Sequence, residues 1–154
     1  MYIDAPFSLF FSNLKYSDTT AFGMEVERID EIKDVKGFLQ LNIKNGFNLS
    51  ILISAVTMDT ITGRIIDTLV APLAERTIKA GITDDAGHVI EPGVSNIRFP
   101  ISLKNYQLLG TANGIRIEAA VNTGAGGQPT NIYSDSYVEY NMVSDISVVY
   151  DEDK

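Results

Sequence analysis

Between residues 38 and 70 the chain alternates apolar and polar positions in three runs separated by two turn signals. Leu39, Leu41 and Ile43 alternate with Gln40, Asn42 and Lys44, the period of a strand with one face buried. Asn45-Gly46 then predicts a tight turn, because this dipeptide readily takes positive φ. Leu49, Ile51, Ile53 and Ala55 follow, set against Asn48, Ser50 and Ser54. Leu52 interrupts that polar side, so the middle run is expected to be covered on both faces. Thr62-Gly63 turns the chain again into Ile65, Ile66, Asp67 and Leu69. The three runs read as a meander of antiparallel strands.

The flanking sequence extends the same period. Phe7, Leu9 and Phe11 alternate with Ser8 and Ser12, and Pro6 suits the first residue of a strand, where no ladder donor is lost. Phe10 makes that run apolar on both sides. Phe22, Met24 and Val26 predict a short strand, and the charge-dense segment after it an irregular or one-turn helical connection. Pro72 breaks the third run, Thr77 begins another short strand, and Asp85-Ala86-Gly87 predicts a hairpin turn. Ile97, Phe99 and Ile101 alternate around Pro100, which places their strand at a sheet edge or a bulge. Ser102 can cap a short helix through Tyr106 and Leu109, stopped by Gly110. Beyond Asn113-Gly114, Ile117 and Glu118 belong to a strand and face opposite sides of it.

Val138, Tyr140, Met142, Ile146, Val148 and Tyr150 share one parity, over a length that predicts a bend or break near Ser144. Eight or nine strands with regular turn signals and at most one short helix predict an all-β fold, an antiparallel two-sheet sandwich. A small barrel is the rival.

Composition narrows the function classes. A chain of 154 residues is expected to form one domain: 1–36 an N-terminal strand and connection, 37–150 the core, 151–154 an acidic tail. Its 45% hydrophobic and 21% charged residues argue against wholesale disorder. No apolar run approaches the ~20 residues of a membrane-spanning helix, and MYIDAPFSLFF lacks the basic region of a signal peptide. Twenty acidic against 12 basic residues give a net charge of −8, which disfavours a nucleic-acid partner. Cysteine is absent, excluding disulfides, thiolate nucleophiles and thiolate metal ligands.

Candidate chemistry is sparse. His88, the one histidine, lies near Asp84 and Asp85, yet no Gly-x-Ser-x-Gly elbow accompanies it, so it reads as a turn residue and the protein as no enzyme. Asp84, Asp85 and Glu91 lack the ligand spacing of a calcium loop and read as turn-stabilising acids, so no metal and no cofactor are expected. GAGGQP lacks the Lys-Ser/Thr of a phosphate cradle. Asn48-Leu49-Ser50 matches a glycosylation sequon at an expected strand start. Loops at the ends of a sandwich are its usual recognition surfaces, and the longest gap between strands runs over 122–137. Tyr133, Asp135 and Tyr137 there are the candidate ligand-binding residues, able to stack on or hydrogen-bond a glycan or protein partner. Tyr140 and Tyr150 sit on the apolar parity and are expected in the core.

The segments LNIKNGFNLSILISAVTMDTITGRIIDTL, VIEPGVSNIRFPISL, IRIEAAVNT and IYSDSYVEYNM together resemble β-sandwich domains of Bacteroides-type cell-envelope proteins, many of them lipoproteins. The resemblance covers residues 38–142. It rests on a strand ending in Asn-Gly-Phe, a Thr-Gly hairpin and a paired alternating strand with a Tyr-rich end. It implies an immunoglobulin-like or LEA-like sandwich, a structural, adhesive or assembly role, and a lipid anchor upstream of this sequence. A carbohydrate-binding module using its end loops is the alternative, and a hydrolase the third.

Overall fold

The structure, a computed structural model, describes residues 7–9, 14–24, 26, 29–121, 123 and 130–151. In chain order the strands are β1 (Phe7–Leu9), β2 (Leu14–Ala21), β3 (Ile32–Asn45), β4 (Ile51–Asp59), β5 (Arg64–Leu69) and β6 (Thr77–Ile78). They continue as β7 (Ile82–Thr83), β8 (Val89–Glu91), β9 (Gly93–Pro100), β10 (Gly114–Val121), β11 (Thr130–Ile132) and β12 (Val138–Tyr150). The helix α1 (Leu103–Leu109) lies between β9 and β10. One sheet has the order β2-β10-β4-β5, with β6 also on β4, and the other has the order β12-β3-β9. Two short ribbons, β1-β11 and β7-β8, add to these sheets, and all pairing among the described residues is antiparallel. The fold is an all-β sandwich.

The core follows the alternation. Leu39, Leu41 and Ile43 of β3 are at most 2% exposed. Leu39 and Leu41 stand opposite Phe99 and Ile97 of β9. The other sheet contributes Ile51, Ile53, Ala55 and Ile115 to the same cluster. Each fully buried aliphatic side chain of this kind stabilises the fold by about 1.5–3 kcal/mol. The helix closes one end: Ser102 accepts from the Asn105 backbone N–H, the Asn105 side chain accepts from the Ser102 N–H in return, and Tyr106 and Leu109 are buried. Pro100 ends β9, the outer strand of its sheet, so its missing donor breaks no ladder bond.

Leu52, at 48% exposure, is not covered on the second face of β4, and Tyr150, at 37%, lies outside the core. Three further expectations are corrected. The 38–70 region is not a meander: β3 and β4 lie in different sheets, and Asn45-Gly46 opens a crossover instead of a hairpin. The Asn45 amide, fully buried, donates from Nδ2 to the Leu49 and Lys79 carbonyls at 2.8 and 2.9 Å. Its Oδ1 accepts from the Phe47 N–H at 3.0 Å, so this one side chain turns the backbone out of β3. Asn45→Ala is expected to lose about 3 kcal/mol, since its two part-buried carbonyl partners and one N–H partner are left unpaired. Urea denaturation measures it. Second, β12 does not break at Ser144 but pairs with β3 along its length, with one register shift between Val149 and Tyr150. Opposite Ile146, Gly37 of β3 has φ 146°. Third, β3 begins at Ile32 instead of residue 38, and residues 22–24 and 26 form no strand. The Thr62-Gly63 hairpin between β4 and β5 is as expected, with Gly63 at φ 73°. Pro6, Phe10, Phe11, Ser12 and the residues after Asp151 lie outside the described residues.

Candidate apolar cleft at the open edge of the sandwich

The outer strands β2 and β12 lie on the same side of the sandwich, bridged by the Tyr140 hydroxyl, which donates to Asp18 Oδ2 at 2.5 Å. Register places Tyr16, Asp18 and Thr20 opposite Ala119, Ile117 and Ile115, on the core-facing side of β2. A core-facing row of Tyr, Asp and Thr cannot seal an apolar interior. Tyr16 is accordingly 67% exposed, and Val138 across from it 42%.

Between them opens a cleft of about 380 Å³ lined by Tyr16, Phe47, Ile51, Ala119, Ile132 and Val138 among others, with Ser136 as its one neutral polar residue other than the tyrosines. This volume lies within the ordinary range of ligand pockets. A second lobe of about 180 Å³ shares Tyr16, Ile51, Ala119 and Val138 and runs inward to Ile53 and Ile78, with Asp18 and Tyr140 at its polar end. The arrangement can desolvate apolar groups, and among the described residues lining it no side chain is set up as a nucleophile with an adjacent base.

The carboxylate of Asp18 holds the Tyr140 phenol above its ordinary pKa of 10.0. With the folded value raised, the bridge contributes its full stability below pH 10 and loses it as pH climbs through the raised value. Tyr140→Phe is expected to cost about 1 kcal/mol at neutral pH. Calorimetry from pH 8 to 11 should show the difference from the parent protein narrowing above pH 10.

The residues selected from the sequence lie beside this cleft. Tyr133, Asp135 and Tyr137 line a separate hollow of about 190 Å³ with Gly46, Ile90 and Pro92. The sequence therefore identified residues that the fold does bring together, but in different states. Tyr133 is 8% exposed, donates from its hydroxyl to the Ala86 carbonyl at 2.5 Å and stacks on His88 with ring centroids 3.5 Å apart. It pins the β7-β8 hairpin to the body. Asp135 is exposed, and Tyr137 is 46% exposed, standing between the hollow and the large cleft. His88 has its ring against Tyr133, and Asp84 Oδ1 accepts from the Ala86 and His88 N–H groups, which is turn chemistry. Asp85 and Glu91 are exposed. The glycine-rich residues 124–129 lie outside the described residues.

Sequence reasoning missed the large cleft because its walls come from strands far apart in the chain. The signal was β2 itself: LKYSDTTA offers no apolar face, yet it pairs with an apolar neighbour. No protein-family model, curated protein or solved structure matches the chain.

Proposed function

We propose that this protein is a non-catalytic binding module of a bacterial cell envelope, with a structural, adhesive or assembly role, that takes up an apolar partner group in the cleft beside β2 and β12. The carrying observation is the exposure of residues on core-facing register, Tyr16 and Val138 above all. Burying such surface is worth roughly 25 cal/mol per Å², which favours association at the cleft. The envelope assignment, and an immunoglobulin-like or LEA-like relationship, rest on the resemblance over residues 38–142.

The test uses the neutral fluorophore N-phenyl-1-naphthylamine as a probe of the cleft. Binding at one equivalent to the native protein is expected, and Ala119→Trp, which puts an indole into the wall both lobes share, should abolish it while the protein still melts cooperatively. A native protein that leaves the probe unbound, or a variant that binds it equally, overturns the site. Fractionation of the producing cells should leave the protein with the envelope, and recovery in the cytosol would overturn that half of the reading. A second reading, glycan binding at Tyr133, Asp135 and Tyr137, is favoured by the half-exposed Tyr137 ring beside an exposed carboxylate. A glycan array answers it.

A further inference from the structure

We infer that the occupant of the cleft is an extended, basic peptide segment of another protein, which adds as a strand to the free edge of β12 and inserts alternate side chains into the two lobes. The inference rests on the cleft being a binding site, and it names the partner. Among the described residues β12 pairs only with β3, and β2 only with β10, so both lips of the cleft are unpaired sheet edges. The Gly46 N–H donates to the Tyr137 carbonyl at 2.8 Å, which fixes the phase of the β12-β3 ladder. Position 137 and every second residue after it exchange hydrogen bonds with β3, and Val138 and Tyr140 turn their N–H and C=O groups outward. The free backbone groups thus belong to the residues whose side chains line the cleft.

An apolar small molecule would fill the lobes and leave those edge groups to water. A strand satisfies both demands, because its side chains on one face recur every ~7 Å and its backbone supplies the missing ladder. Charge selects among strands. Asp18 stands on one lip and Asp135 in the hollow beside the other, in a protein of net charge −8, while Glu139 faces away from the cleft. Lys15 is on the opposite face of β2, and Lys44 is 3.5 Å from Glu139, its ion-pair partner. Lysines or arginines flanking the apolar positions complement this rim. A second copy of the chain would bring like charge against it.

The experiment selects nine-residue peptides from a random display library against the intact protein and measures the winners, as synthetic peptides, by calorimetry. Winners with apolar residues at every second position and Lys or Arg at the flanks are expected. N-methylation of the backbone at positions of one parity should weaken binding at least tenfold, and at the other parity much less, since only one set of N–H groups can face β12. Ala119→Trp should abolish binding, and exchanging the flanking Lys or Arg for Glu should weaken it at least tenfold. Winners lacking the alternation, or indifferent to N-methylation at both parities, overturn strand addition. They leave the binding-module reading standing as long as the fluorophore still binds. A protein that dimerises through this edge, and is made monomeric by Ala119→Trp, overturns the heterologous partner. Failure of both peptides and fluorophore overturns inference and function together.

Discussion

Leu41→Asp is expected to leave no cooperative unfolding transition at 25 °C. Leu41 is 1% exposed at the middle of β3, flanked across the ladder by Ile97, which is 0% exposed, and by Met142. Truncating such a side chain alone costs 2–5 kcal/mol, and an unpaired buried carboxylate adds several more. The sum is of the order of the whole stability of a domain this size, about 5–15 kcal/mol. Val143→Asp provides the contrast. Val143 is 52% exposed and stands opposite Gln40 on the outer side of the same sheet, so its change should stay within about 0.5 kcal/mol. Urea titrations of the two variants measure both, and equal losses would mean that the faces of this sheet are reversed.

Gly37→Ala is expected to cost about 3 kcal/mol or more, although it adds a single methyl group. Gly37 has φ 146°, and a Cβ placed there would stand 2.0 Å from the Asp145 carbonyl oxygen and 2.7 Å from the Ile146 Cα. Both obstacles are backbone of β12, so relief requires the two strands to separate, not a side chain to swing away. The loss should appear in hydrogen exchange as reduced protection of residues 145–149 ahead of the rest of the sheet. Gly63→Ala makes the comparison fair. Gly63 also has positive φ, 73°, but meets nothing within 4 Å. Only the conformational cost remains there, about 1 kcal/mol.

Local chemistry was legible in the sequence wherever one residue decides an outcome. Ser102 and Gly110 bracketed the helix, Pro100 marked an edge strand, and Thr62-Gly63 marked a hairpin. Alternation over 39–43 gave the buried face correctly, and over 51–55 it gave Ile51, Ile53 and Ala55, whereas Leu52, expected to be covered, faces solvent. It could not give the partners, because a half-buried strand looks the same whether its neighbour lies in its own sheet or across the core. That is why Asn45-Gly46 read as a hairpin turn while the Asn45 amide was bracing a crossover. The loop tyrosines were legible as a cluster, but the inward role of Tyr133 depends on Ala86 and His88, some 45 residues earlier. The apolar cleft was not legible at all, since a polar strand such as β2 becomes one of its walls only once it is paired with β10.

The pairing of β3 with β12 also sets a timetable for the newborn chain. β3 ends at Asn45 and its partner begins at Val138. At a synthesis rate of about 5–20 residues per second, the intervening stretch takes roughly 5–20 s to emerge. Through that interval Leu39, Leu41 and Ile43 have β9 to pair with, once it arrives, and nothing on the other side. Until β12 emerges, the sheet is half-built, with its central strand lacking one neighbour, and β12 closes it. A chain stalled or cleaved before Val138 would keep that edge of β3 unpaired permanently, which makes it a ready client for chaperones and proteases.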